Sequence, residues 1–317
     1  MFSCWPPGEK GNWTSGKNSG EKNLKDEILI GVDFGGTKIL TGAMTERGEV
    51  VCEPVRVPTD GDDESGKIIG RVAGSIDEVI RKAGVQLDQV KGIGLGVTGP
   101  LDIKNGTILE CPQLPTLHFF PLRKVIGERF RRPVYMNNDA NCLIYGETLF
   151  GSGIGKSNVV GFTLGTGLGC AIILGGNIFL GSTESAGEIW PSPYAGGSIE
   201  DLVSGAGVSK IYNRMSSQSK SAAEIATLAE KGDAKALATW QEFGEHLGIA
   251  MSWVVNVIDP EIVILGGSIS NAFDFFSPAM ERNFRKHICP VPAERIKVVR
   301  SRLGSNAGFI GAAALAI

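Results

Sequence analysis

Three short segments of this chain combine small residues with a carboxylate, a hydroxyl or an amine in patterns that could handle phosphate. Asp33-Phe34-Gly35-Gly36-Thr37-Lys38 closes a short apolar run at 28–32. Two adjacent glycines let the backbone turn tightly and approach a ligand closely, and clustered amide donors suit phosphate oxygens. The Asp33 carboxylate, at the strand end, could hold Mg²⁺ through water, because that ion keeps much of its hydration shell. An ordinary Gly-Gly hairpin would account for the same residues. Thr163-Leu164-Gly165-Thr166-Gly167-Leu168-Gly169 has the same character much farther along the chain. Two such turns at equivalent places could clasp one polyphosphate, or could be structural hairpins left by an old duplication. Between them lies Asn137-Asn138-Asp139-Ala140-Asn141. Asp or Asn at a strand-to-helix junction commonly caps the helix. A carboxylate there can also take the proton of an attacking hydroxyl while a neighbouring amide orients the substrate.

The elements that must position these residues can be read from hydrophobic periodicity. Apolar runs at 28–32, 39–44 and 50–57 predict a meander of three strands joined by tight glycine turns. Ile68, Ile69, Val72, Ile76, Val79 and Ile80 fall on one helical stripe that ends at Gly84. A strand at 90–97 leads into a turn at Gly99-Pro100, and a helix at 122–130 and a short strand at 134–136 precede helical residues 142–150. The order then recurs. A strand at 159–164, the second glycine turn and a strand at 171–174 are followed by helical residues over 198–256, with a stripe of Trp240, Phe243, Leu247, Ala250 and Val254 that reads as core. A strand at 261–265 ends at Gly266-Gly267, and a helix at 271–287, a strand at 296–299 and an Ala-rich terminal helix close the chain. Two related α/β halves are expected, with a cleft between them where ligand sites preferentially occur. The expected division is a disordered leader at 1–24, rich in Gly, Ser, Asn and Lys, a small domain at 25–137 plus 306–317, and a large domain at 138–305.

Composition narrows the functional classes. The 317 residues are 42% hydrophobic and 21% charged with a net charge of −3, which gives no reason to expect nucleic acid or an anionic membrane as partner. No apolar run approaches the roughly 18 residues of a membrane helix, and the leader lacks the apolar core of a signal peptide. The six cysteines are scattered, without a Cys-x-x-Cys pair, so neither a disulfide framework nor a zinc cluster is indicated and a reducing cytoplasm fits best. His118, His246 and His287 lie far apart, without ligand-like neighbours. Gly94-Leu95-Gly96-Val97-Thr98-Gly99 matches G-x-G-x-x-G. A dinucleotide site would need a helix there and an acidic residue about 20 positions on. Pro100 and Phe119 stand in those places, and the dehydrogenase reading fails.

DFGGTK, TGPLD, NNDAN, TLGTGLGC, AGE at 186–188 and LGGSIS at 265–270 occur in the order found in the ROK family of repressors, open reading frames and sugar kinases. The chain resembles that family from about residue 28 to its end. The resemblance implies an actin-like (hexokinase- or ribonuclease H-like) two-domain α/β fold that closes on a hexose and ATP, excluding water from phosphoryl transfer. It implies that Asp139 is the catalytic base and that Gly99, Asn138, Glu188 and Glu200 bind the sugar. Gly35, Gly36, Thr37, Lys38, Thr166 and Gly167 would surround the phosphates, Gly266 and Gly267 would lie against the adenosine, and Asp33 would serve Mg²⁺. The 6-hydroxyl of glucose is the expected acceptor, with N-acetylmannosamine or another N-acylhexosamine as the alternative, and a homodimer is expected. A non-catalytic sugar-sensing regulator is the competing class, although the leader is too short and Gly-rich for the repressors' DNA-binding helices. In one respect the chain departs from the family. Many members carry a His and then a Cys-rich, zinc-binding knuckle after the Gly-Glu segment. Trp190 stands at the His position, and 191–198 contain no Cys, so no structural zinc is expected.

Overall fold

Continuous apolar runs make strands that are buried on both faces, and the first of these seeds the N-terminal half. The computed structural model describes residues 27–317, so the expected leader lies outside the described residues. β1 (Ile28–Phe34) pairs antiparallel with β2 (Lys38–Thr45), which pairs with β3 (Val55–Pro58). After α1 (Ser65–Ala83), β4 (Val90–Val97) returns parallel to β1. A small hairpin of β5 (Leu101–Asp102) and β6 (Thr107–Ile108) and the helix α2 (Leu122–Phe130) precede β7 (Val134–Asn138), which lies parallel to β4. The sheet order is β3-β2-β1-β4-β7.

α3 (Asp139–Phe150) leads into a second sheet. β8 (Val159–Leu164) pairs with β9 (Leu168–Leu174), and β10 (Asn177–Ile178) lies at its edge. β11 (Pro193–Tyr194) and β12 (Gly197–Ser198) form a separate hairpin. Then come α4 (Gly205–Ser216), α5 (Ala222–Glu230), α6 (Ala234–Ile258), β13 (Ile262–Gly266), α7 (Phe273–His287), α8 (Pro290–Arg295), β14 (Lys297–Arg300) and α9 (Ala307–Ala314). The order β10-β9-β8-β13-β14 repeats the first sheet in pairing sense, with two antiparallel and two parallel pairs. The expected duplication is therefore present at the level of topology.

Each sheet has its own core. Val32, Phe34, Ile93 and Leu95 pack with Ile68, Val72, Ile76 and Val79 of α1. Phe162, Leu164 and Leu265 pack with Trp240, Phe243 and Leu247 of α6 and Phe276 and Phe284 of α7, so the tryptophan stripe is core as expected. Between the sheets run α3 and α9. A Cβ at Gly31 would overlap the Phe309 carbonyl, and one at Gly94 the Ala312 carbonyl. Those strand glycines thus exist to admit the α9 backbone. Where α3 crosses α9, a Cβ at Gly146 would lie 2.8 Å from Gly311 N.

Several expected boundaries move. Of the strand at 50–57 only Val55–Pro58 is extended pairing, and Val50 contributes an isolated bridge to Met44. Helix does not begin at 198: residues 199–204 form turns, and Ser204 caps α4 through its hydroxyl, which accepts from Gly207 N at 3.1 Å. The helix expected at 142–150 starts at Asp139, because the Asn138 side chain satisfies its first orphan amide. A 3₁₀ turn, Ser268–Ala272, replaces the first residues expected for α7.

Candidate active site

Parallel strands bring their carboxyl ends to one edge of a sheet, where open α/β folds bind ligands. In the first sheet Asp33 is level with Gly96, and Val97 with Asn138. β7 runs directly into α3, so Asp139 sits at the junction of strand and helix. Asn137 accepts from Asn138 N (2.8 Å) and from Asn141 Nδ2 (2.9 Å), which fixes the turn. Asn138 Oδ1 and Asp139 Oδ1 both accept from Ala140 N, at 2.9 and 2.8 Å. The capping reading of this segment is therefore correct, and it leaves the Asn138 amide nitrogen facing Gly99, where a Cβ would lie 3.3 Å away.

Asp139 is half-buried and its carboxyl is pushed up to about 7, first by burial and then by the charges of Asp33 and Glu188, against the opposing Ala140 hydrogen bond. Burial also raises Asp33, with Lys38 and Arg56 pulling the other way. Glu188 is raised by burial, lowered by a hydrogen bond from the Trp190 side chain, and raised again by Glu200. Asp33, Asp139, Glu188 and Glu200 thus form one interacting series drawn from both halves of the chain. Desolvated carboxylates, one of which raises the other, suit a hard, oxygen-seeking cation, so Asp33, with Asp139 beside it, fits a hydrated Mg²⁺. Among the described residues no group of three or more His, Cys, Asp or Glu is arranged to hold a metal through protein ligands alone.

The two glycine turns are built differently. In the first, Gly35 N donates to Lys38 O at 3.0 Å, and Thr59 grips it by donating from Oγ1 to Gly35 O (2.7 Å) and from N to Thr37 O (3.1 Å). A Cβ at Gly36 would lie 2.6 Å from Gln113 Cβ, so packing alone already requires glycine there. In the second, Gly165 N donates to Gly167 O at 3.1 Å, and Gly165 O receives Gly205 N at 2.8 Å. Glu200 Oε2 accepts from Leu168 N at 2.8 Å and lies 2.5 Å from where a Gly167 Cβ would be. Glu200 is thereby tied to the second turn. Gly266 packs against Leu143, whose Cδ2 would be 2.6 Å from a Cβ there. Gly267, at φ +83°, turns over the Leu164 carbonyl.

The structure therefore gathers Asp33, Lys38, Asn138, Asp139, Glu188 and Glu200 by direct bonds or by charge, and sets Gly99 beside Asn138. Gly266 and Gly267 end β13 next to β8, and their immediate partners are protein interior. Arg56, Thr59, Gln113 and Cys142 escaped the sequence reading although they touch or electrostatically sense the site. Cys142 lies one helical turn after Asp139, and its thiol is raised by burial and by the charges of Asp139 and Asp33. Its i, i+3 spacing was the one available signal.

A family model described as the ROK family matches residues 29–317. The chain is 32% identical over 311 residues to an N-acetyl-D-glucosamine kinase of Vibrio cholerae, covering 92% of this chain and 100% of that protein. It is 29% identical over 313 residues to a glucokinase of Halalkalibacterium halodurans, with 91% and 94% covered. The crystal structure of a ROK family glucokinase from Streptomyces griseus in complex with glucose and AMPPNP superposes with a TM-score of 0.78 at 26% identity, over 91% of this chain and 98% of that one.

Proposed function

The chain belongs to the ROK family, with the actin-like α/β fold, and from that premise we propose that it is an ATP-dependent sugar kinase that phosphorylates the 6-hydroxyl of glucose. The observation that carries the reading is the Asp139 carboxyl, held near neutrality at a strand end beside Asp33 and Glu188. A base poised near 7 is ionised often enough to accept a proton and basic enough to keep it.

In the proposed mechanism Glu188, Glu200, Asn138 and the open backbone at Gly99 hold the sugar ring, so that one hydroxyl faces Asp139. The amides of 35–37 and 165–167, with Thr37, Lys38 and Thr166, hold the triphosphate, and the Gly266-Gly267 turn receives the adenosine. Asp33, with Asp139 nearby, would hold Mg²⁺, which when bound supplies charge neutralisation between the phosphate oxygens. The sugar oxygen forms its bond to the γ-phosphorus as the bond to the β–γ bridging oxygen breaks, and ADP leaves with that electron pair. Asp139 takes the hydroxyl proton late, as bond-making to phosphorus acidifies it. We further propose that 25–137 plus 306–317 and 138–305 act as two domains that close on the substrates.

A second reading is an N-acylhexosamine acceptor. It is favoured by Trp190, which stands where many family members carry a His and lowers the carboxyl of a sugar-site glutamate two residues away. ADP release measured with glucose, N-acetylglucosamine and N-acetylmannosamine separates the two. Asp139→Asn is expected to lower kcat by about 10²- to 10⁴-fold while nucleotide affinity changes little. Wild-type turnover by that variant would remove Asp139 from the mechanism, and ADP release by no sugar would leave the sensor class in its place.

A further inference from the structure

The segment that carries Glu188 and Glu200 has little regular structure of its own. Between Gly187 and Gly205 there is only the β11–β12 hairpin, two residues a side, turned through Ala195 and Gly196 at φ +49° and +84°. An isolated two-stranded hairpin is marginal in water even when longer, so something outside it must fix its position. At its base Ser198 N donates to Asp201 Oδ2 at 2.8 Å, but Asp201 belongs to the same loop.

Ile199 and Val203 bury themselves in the core of the second half, and the hairpin itself is anchored by Tyr194. Its hydroxyl lies 3.0 Å from His246 Nδ1, and its ring meets the His246 ring edge-on, with centroids 5.5 Å apart. The ring also meets Trp253 edge-on at 5.9 Å. His246 and Trp253 are seven residues apart on α6, hence on one face of it. His246 Nε2 lies 3.5 Å from Glu242 Oε1, one turn earlier on the same helix. With the imidazole proton on Nε2, Tyr194 donates to Nδ1 and Nε2–H faces Glu242, so every polar atom of the chain is used. From the hairpin the connection runs inward. Ile199 N donates to Ser192 O at 3.0 Å and Glu200 N to Trp190 O at 3.4 Å. Trp190 lies two residues from Glu188 in the chain and lowers its carboxyl, and Glu200 reaches the second glycine turn through Leu168 N.

We propose that Tyr194, through His246, is a positioning residue for acceptor binding: it staples the β11–β12 hairpin to α6 and thereby sets the separation of the Glu188 and Glu200 carboxylates. The connection to the acceptor rests on the function proposed above; the staple itself does not. Tyr194 touches neither phosphate turn, and only Glu200 reaches the second one, through Leu168 N, so its loss should be felt more strongly on the sugar side than on the nucleotide side.

Tyr194→Phe keeps the ring and removes one hydrogen bond. It is expected to raise the KM for the acceptor sugar about 3- to 10-fold, while kcat and the KM for MgATP stay within about twofold. His246→Ala should reproduce this effect, and His246→Gln, which restores a side-chain partner for the hydroxyl, should recover most of it. Amide hydrogen exchange at Ser198, Ile199 and Glu200 should quicken at least about tenfold in Tyr194→Phe. An unchanged sugar KM, or equal shifts in the sugar and MgATP KM values, would overturn the positioning role. Unchanged exchange would overturn the staple. If the wild type phosphorylates no sugar, the proposed function falls, while the exchange measurement still decides the staple.

Discussion

Asp139 meets two demands that conflict. Its place at the end of β7 and the start of α3 half-buries it, and the charges of Asp33 and Glu188 add to the cost of ionising it. That cost is what makes it a base at neutral pH. With saturating MgATP, kcat/KM for the sugar should rise with pH and level off as Asp139 ionises, with a midpoint shifted below 7 because Mg²⁺ beside the carboxyl favours its charged form. A profile that is flat between pH 4 and 8.5 would contradict the assignment. Stability should move in the opposite sense. The carboxyl titrates at about 7 in the folded chain and near its ordinary 3.8 when unfolded, so the native state binds the proton more tightly. Below pH 3.8 the group costs nothing, between 3.8 and 7 its ionisation progressively opposes folding, and above 7 the penalty is complete. Asp139→Asn should therefore stabilise the protein by on the order of 2 kcal/mol at pH 8 and by clearly less at pH 4.5. Equal thermal shifts at the two pH values would contradict it. An inactive variant that is more stable than the wild type is the expected signature of a strained functional site.

At the scale of elements, α3 links the site to the end of the chain. Its residue Glu147 is fully buried near the helix C-terminus, where a negative charge is disfavoured by the helix dipole. Three donors offset this. Ser152 N binds Oε2 at 2.7 Å, and Ser301 Oγ and Leu303 N bind Oε1 at 2.6 and 2.7 Å. The carboxylate thus ties the exit of α3 to the segment that enters α9. Glu147→Gln places an NH₂ group against donors, and should cost about 2–4 kcal/mol in urea unfolding. A loss under about 0.5 kcal/mol would mean that the latch contributes little.

The whole molecule depends on two helices meeting between two sheets. A Cβ at Gly311 would overlap the Cys142 carbonyl of α3, whereas one at Gly70 of α1 would meet nothing within 4 Å. Gly311→Ala should therefore destabilise by several kcal/mol through backbone displacement. Gly70→Ala, in an exposed helix interior, should stabilise by roughly 0.5–1 kcal/mol. Chemical denaturation of the pair tests the packing with the same atom added twice. Effects of one sign would show that the crossing is looser than described.

Much of this architecture was legible in the linear sequence because its signals are local. Apolar runs marked β1, β4 and β8 almost to the residue, the stripe from Ile68 to Ile80 marked α1, and the ordered motifs from DFGGTK to LGGSIS marked the family. Capping was readable too, since Asn before a helix is a short-range preference. What the linear sequence could not hold is which distant groups share a low-dielectric space. The charge of Asp33 on Asp139, the tie from Glu200 to Leu168 and the anchoring of Tyr194 on His246 join residues from separate elements. Spacing carries no record of them. The strand-end turns and the Asn138-Asp139 junction were set by local sequence; the proton affinity of that aspartate was set only when folding brought Asp33 and Glu188 beside it and excluded the water that would have screened them.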